Sequence, residues 1–226
     1  MSQQKLFDIA AEFGAGPPAI GELEQWCVGR GHRYIIGVDE AGRGPLAGPV
    51  HAAAVVLDLQ ALDADWLAKL DDSKKLNDAL RDEAFDEIQR AALSFGIAQM
   101  DHQVIDEINI LQATFRAMEA AVHAALDGFE ERIDCVFIDG NKTVNLQLPQ
   151  RAVVKGDARS RAIAAASILA KVSRDRVMQS YHEKWPVYGF GSHKGYPTRA
   201  HRAAVEEFGP CPIHRRSFRG VREFIK

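Results

Sequence analysis

Cysteine is scarce, and the three residues present cannot build a framework. Cys27, Cys135 and Cys211 are an odd number, widely separated, with no CxxC pair. A disulfide scaffold or a cysteine zinc site is therefore not expected, and a reducing cytoplasm suits the chain best. Long apolar runs are missing too. Nothing approaches the ~20 residues of a spanning helix, so no membrane partner is expected. The opening MSQQKLFDIAAEFGAG carries acids where a secretory signal needs an apolar stretch. Internal repeats and low-complexity tracts are absent. His193, His201 and His214 follow no zinc spacing and are expected to be substrate-side or structural. What is present is an ordinary globular composition, 46% hydrophobic and 26% charged over 226 residues. That suits one substantial domain, alone or with an appendage, whose core needs no staple.

A net charge of -3 argues, taken whole, against a polyanionic partner. The distribution argues the other way. Residues 151–226 hold 16 Lys and Arg against 6 Asp and Glu, whereas residues 1–150 hold 12 against 25. An acidic body with a basic C-terminal third fits a carboxylate-rich centre beside a phosphate-binding surface, although an uneven, functionless surface would look the same.

Residues 1–32 read as an N-terminal extension: an amphipathic piece (Leu6, Ile9, Ala10, Phe13), a GAGPPAIG loop, and a short helix in ELEQWCVGRG ending at glycine. Tyr34–Val38 and PVHAAAVVLDL read as strands. Leu76, Leu80, Ala84, Phe85, Ile88 and Ala92 share one helical face, and LSFGIAQM is a further strand. VIDEINILQATFRAMEAAVHAAL is a long amphipathic helix. DCVFIDG and RAVVKGD are strands, SRAIAAASILAKVSRDRVMQSYHEKW is a long alanine-rich helix, and the remainder is short helices and loops. Strands come first with helices interleaved, then the chain turns helical: a mixed α/β sheet with a helical C-terminal portion.

Three apolar runs end in acids. IIGV meets Asp39-Glu40, CVFI meets Asp139-Gly140, and AVV is followed by Lys155-Gly156-Asp157. Ligands bind at the carboxyl ends of strands in open α/β sheets, so these acids could converge. Each also has a plain reading: a solvated strand end, a turn, or in Asp157 a helix N-cap. Together the plain readings weaken, because acids that close buried runs need a partner to offset desolvation. No basic residue abuts them all, so a cation is the natural partner. An all-carboxylate set suits Mg²⁺ or Mn²⁺ and two-metal phosphoryl chemistry. Gly42-Arg43-Gly44 follows at once, and its glycines let backbone amides approach an anion. Ser167 and Lys171, four apart, share a helix face that either supports the site or is a polar stripe.

GVDEAGRGPLAGPVHAAAVVL, DDSKKL, FIDGNK, VKGDARSRAIAAASILAKVSRD, HKGYPT and PIHRRSF, taken in that order over Tyr34–Phe218, resemble the successive motifs of bacterial ribonuclease HII. The sibling ribonuclease HIII usually has GKG in place of Gly42-Arg43-Gly44 and a larger N-terminal domain. The resemblance implies an RNase H-like catalytic domain over residues 33–226, a mixed central sheet flanked by helices. Its basic helical C-terminal segment, about residues 173–226, would help grip a duplex. It also implies hydrolysis of RNA in RNA–DNA hybrids and incision 5′ to single ribonucleotides in duplex DNA, leaving 3′-hydroxyl and 5′-phosphate ends. Carried over by motif, Asp39, Glu40, Asp139 and Asp157 are the catalytic tetrad and would bind the divalent cations. Gly42, Arg43 and Gly44 would read the 2′-hydroxyl, and Tyr196 would stack on the neighbouring sugar. Arg43, Lys74, Lys155 and Lys194 are candidate phosphate contacts. A monomer is expected.

Two other classes compete. A non-catalytic nucleic-acid binder would use the basic third, but gains nothing from carboxylates near phosphates. A nuclease acting on DNA alone is disfavoured only by the motif match at Gly42-Arg43-Gly44 and Tyr196.

Overall fold

A computed structural model describes residues 19–70 and 77–225 of the chain. Its centre is a five-stranded sheet of β1 (Tyr34–Ala41), β2 (Val50–Asp58), β3 (Ser94–Met100), β4 (Cys135–Asp139) and β5 (Gln150–Val153), ordered β3-β2-β1-β4-β5. The first three strands form an antiparallel meander, whereas β4 and β5 run parallel to β1. The sheet is mixed because β1 and β2 are joined by a short loop that reverses the chain, while the parallel strands β1 and β4 need a crossover, which carries a long helix. Tyr34–Val38 of β1 and Ala52–Leu57 of β2 are apolar without interruption, as strands covered on both faces must be.

Two long helices provide the cover: α4 (His102–Leu126) on one face and α5 (Arg161–Lys184) on the other. Strand alternation divides β1 between them. Ile35 packs into the α5 core, whereas Ile36 and Val38 pack into the α4 core. The alanines of α5 let it lie close to the sheet, and Gly37 is where the approach is closest. A Cβ on Gly37 would sit 2.1 Å from the carbonyl carbon of Ala162.

Around this frame lie α1 (Glu22–Val28), α2 (Asp65–Lys69) and α3 (Asp78–Ala91). The C-terminal portion is helical, as expected, with α6 (Phe190–His193), α7 (Arg199–Phe208) and 3-10 turns around a small core of Met178, Tyr188, Phe190, Val205 and Ile213. No helix among the described residues is long and apolar enough to cross a membrane.

Two details depart from the periodicity. The α4 pattern reads as one continuous helix, but Asn109 interrupts it at φ 67°. Its side chain accepts from the Leu111 and Gln112 N–H groups at 3.0 and 3.2 Å, so it caps the helix that follows. Leu80, on the apolar face of α3, is 45% exposed in the first turn, beyond the reach of the core that buries Phe85 and Ile88. The amphipathic piece at Leu6–Phe13 lies outside the described residues. The helix α1 packs directly on the domain, with Leu23 and Cys27 buried in the α5-side core.

Candidate active site

Register explains why acids a hundred residues apart meet. Val38 of β1 pairs with Ile138 of the parallel strand β4, so Asp39 and Asp139 follow side by side on strands about 4.8 Å apart. Alternation puts both on the α5 face, where the Ser167 side chain favours the charged form of Asp39. Ser167 thus belongs to the site-supporting face, while its neighbour Lys171 pairs with Asp175 at 2.8 Å instead. Glu40, one residue on, turns to the other face. At the strand ends it lines a cleft of about 250 Å³ with Arg43, Thr114, Asp139 and Lys142. Asp157 stands in a 3-10 turn, Gly156–Ala158, just past β5. It does not cap α5: Ser160 does, accepting from the Ile163 N–H at 3.2 Å. The Gly156 N–H is bent back onto Asp139, donating to Oδ1 at 2.7 Å.

The acids oppose one another electrostatically. Burial raises Asp39 well above the usual carboxylate range, and the charges of Asp139 and Glu40 add to it. Burial likewise raises Glu40 and Asp139, although Arg43 and the Gly156 N–H respectively pull the other way. Among the described residues no three His, Cys, Asp or Glu are already gathered as a ligand cage. The reason is local: Asp39 accepts from the Glu40 N–H at 2.7 Å, Asp139 holds the Gly156 N–H, and Glu40 pairs with Arg43 at 3.1 Å. These acids are close enough to repel, are oxygen donors only, and lack a basic residue common to all. That donor set fits a hard divalent cation, whose charge would relieve the repulsion.

The Gly42–Pro49 loop continues β1 past the acids. Gly42 has φ +98°, and a Cβ there would lie 2.0 Å from Arg174 Nε. Gly44 lies against Tyr196, whose Cε1 is 3.6 Å from the Cβ position. Arg43 ties the loop to Glu40. Five of the expected site residues, Glu40, Gly42, Arg43, Gly44 and Tyr196, therefore form a continuous rim beside Asp39 and Asp139. The lysines are more scattered. Lys155 is exposed at φ 57° immediately before the Asp157 turn. Lys194 donates from Nζ to the Gly191 carbonyl and lines a separate cleft with Arg81, Lys171 and Asp175. Lys74 lies outside the described residues.

Several contributors carry no legible signal in sequence. Arg174 and Arg215 are fully buried behind the loop and donate to its carbonyls. Glu24 accepts from Ser160 Oγ at 2.7 Å and from the Ala162 N–H at 3.2 Å, so α1 braces the end of the Asp157 turn. Arg159 in that turn also pairs with Glu22. The histidines are structural. His201 Nδ1 donates to the Tyr196 carbonyl at 2.9 Å, and its Nε2 meets His214 Nε2 at 3.1 Å. His214 Nδ1 accepts from the Cys211 N–H at 3.0 Å. Burial pushes His201 and His214 down to about 4, so both are neutral behind the Tyr196 loop. Such groups leave no local pattern, because their partners are backbone atoms or side chains distant in sequence.

Comparison with known proteins agrees with this geometry. The family model described as Ribonuclease HII matches residues 36–221. A curated relative, Ribonuclease HII of Geobacter sulfurreducens, is 50% identical over 208 residues, covering 92% of each chain. Among solved structures, ribonuclease H2 from Pyrococcus horikoshii superposes with a TM-score of 0.67 at 24% identity, covering 84% of this chain and 96% of that one. Bst-RNase HIII in complex with Mn²⁺ gives 0.65 at 16% identity, covering 85% and 69%. The fold is thus that of the type 2 ribonucleases H. With the model match over most of its length and half its residues shared with a curated member, the chain belongs to the ribonuclease HII family, metal-dependent phosphodiester hydrolases that act on RNA–DNA hybrids.

Proposed function

We propose that this ribonuclease incises duplex DNA 5′ to a single embedded ribonucleotide, as well as cutting hybrids, and leaves 3′-hydroxyl and 5′-phosphate ends. The observation that carries the reading is the shared rim: Arg43 pairs with the acid Glu40 while Gly44 lies against Tyr196. A site that cuts and a site that inspects the sugar are then one residue apart.

Asp39, Glu40, Asp139 and Asp157 hold the divalent ions, Mg²⁺ or Mn²⁺, and the Mn²⁺ complex of the ribonuclease HIII neighbour supports an ion of this class. When bound, two such ions supply an activated water and neutralise charge at the leaving 3′ oxygen. The chain does the rest. Ser167 and the Gly156 N–H orient Asp39 and Asp139. Gly42, Arg43 and Gly44 meet the 2′-hydroxyl, the one group that separates ribose from deoxyribose. A site built to bond that hydroxyl is left unpaired by DNA, and discrimination follows. Tyr196, 43% exposed, offers its ring to the next sugar and crowds a second hydroxyl there. Arg43, Lys155, Lys194 and Lys74 contact phosphates without reading sequence. One chain supplies every part, so the enzyme works as a monomer. All three cysteines are free, which suits a reducing cytoplasm.

The test compares a duplex bearing one ribonucleotide with its all-DNA twin, with Mg²⁺ and with EDTA. Cleavage of the first only, lost in EDTA, is expected. Equal cutting of both refutes ribose recognition. Tyr196→Ala should lower the rate at the junction by about tenfold or more while weakening binding less, the scale of a lost stacking contact. An unchanged rate returns Tyr196 to an ordinary loop side chain.

A further inference from the structure

Resting on that ribose reading, we propose that Arg215, seconded by Arg174, is the positioning residue that aims the Arg43 and Gly44 amides at the ribonucleotide. Arg215 has no solvent exposure, yet no carboxylate hydrogen-bonds it among the described residues. Its guanidinium gives all its N–H groups to one loop. Nη2 donates to the Gly42 carbonyl at 2.6 Å and the Pro49 carbonyl at 3.2 Å. Nη1 donates to Arg43 O at 3.0 Å and Pro45 O at 2.8 Å, and Nε to Gly48 O at 3.0 Å. Five donors in a rigid fork are the whole capacity of an arginine. Arg174 adds bonds to Pro49 O at 3.0 Å and Ala47 O at 3.3 Å, and one to Lys194 O at 3.0 Å, two residues before Tyr196.

Burying a cation is costly, and an apolar side chain of the same volume often stabilises a fold as well. An arginine spent on carbonyls secures what bulk cannot: the direction of each peptide plane. The peptides of this loop are trans. In a trans peptide the C=O and the N–H of the next residue point in opposite directions. Turning the Gly42 and Arg43 carbonyls inward onto Arg215 therefore turns the Arg43 and Gly44 N–H groups outward. Arg43 and Gly44 are both exposed, and among the described residues neither N–H meets an acceptor. Two adjacent donors are thus held ready on the rim between Glu40 and Tyr196. A cation on each carbonyl also polarises the peptide, which strengthens the N–H on its far side. Lysine could keep the charge but not the fork, since a point ammonium with three donors cannot span the loop.

The decisive variant is Arg215→Lys in the full chain, with affinity measured in EDTA so that nothing is cut. The single-ribonucleotide duplex and its all-DNA twin are titrated separately. The expected result is a fall of about tenfold in the ratio of the two affinities, with all-DNA binding and Mn²⁺ binding little changed. A folded Arg215→Lys protein that keeps the wild-type ratio overturns the inference, because a merely structural arginine would alter stability and not discrimination. Should that variant not fold, the unsubstituted protein still decides by ¹⁵N relaxation and amide shifts. Arg43 and Gly44 should be as ordered as β1 and should shift with the ribonucleotide duplex but not with its twin. Mobile amides, or equal shifts with both, overturn it. Failure of the ribose reading itself is distinguishable, as equal binding of both duplexes by the unsubstituted protein; amide order then decides the role of Arg215.

Discussion

Replacing Gly42 with alanine is expected to disrupt the link between cutting and inspection, at a cost that divides into backbone strain and a steric clash. At φ +98° an L residue bears about 1–3 kcal/mol of backbone strain. The new Cβ would also stand 2.0 Å from Arg174 Nε, 2.4 Å from its Cδ and 2.9 Å from the Pro49 carbonyl oxygen. Arg174 is fully buried and cannot swing away without giving up its bond to Pro49 O. Loss of one such charged hydrogen bond costs about 1.5–3 kcal/mol. The sum centres on about 4 kcal/mol, or about 8–16 °C in Tm for a chain of this size. Gly128→Ala is the control. It too has positive φ, +72°, but nothing lies within 4 Å of its Cβ position. Only the left-handed backbone term, about 1–2 kcal/mol, should appear there. Thermal melts of both variants, with cleavage of the ribonucleotide duplex, make the assay. Gly42→Ala should also lose most activity, whereas Gly128→Ala keeps it. Equal Tm losses in the two variants would refute the claim that Arg174 is pinned beneath Gly42.

Two further outcomes concern charge. Asp39 is raised by burial and by Asp139 and Glu40, so it contributes stability that is full below the ordinary carboxylate range and lost as pH rises through its raised value. Asp39→Asn should therefore raise the Tm of the metal-free protein near neutral pH, with a gain that shrinks on acidification, and should abolish both cleavage and the stabilisation by Mn²⁺; a lower Tm in EDTA would contradict the repulsion. His201 and His214 are shifted the other way, from 6.5 to about 4 by burial, so their contribution is full above pH 6.5 and lost as pH falls toward 4. Hydrogen exchange should show the α6–α7 segment opening across that window before the sheet does, and simultaneous opening would count against it.

Much of this protein is written locally. Uninterrupted apolar runs at Tyr34–Val38 and in VHAAAVVLD, the alanine face of α5, and acids closing three strands depend only on periodicity and on the cost of burying charge. Those features determined the fold class and the candidate acids. Asn109 and Leu80 were illegible because interrupting a helix, or ending a core, depends on what packs against it. The tertiary structure alone decided four things. It put Asp39 beside Asp139 through the β1–β4 register, assigned the α5 cap to Ser160 rather than Asp157, and set Ser167 on Asp39. It also spent Arg174 and Arg215 on the carbonyls of a loop more than a hundred residues away. The physical reason is common to all four. Side-chain type and spacing encode which groups dislike water, but the direction of a hydrogen bond to a distant backbone exists only once the chain has folded.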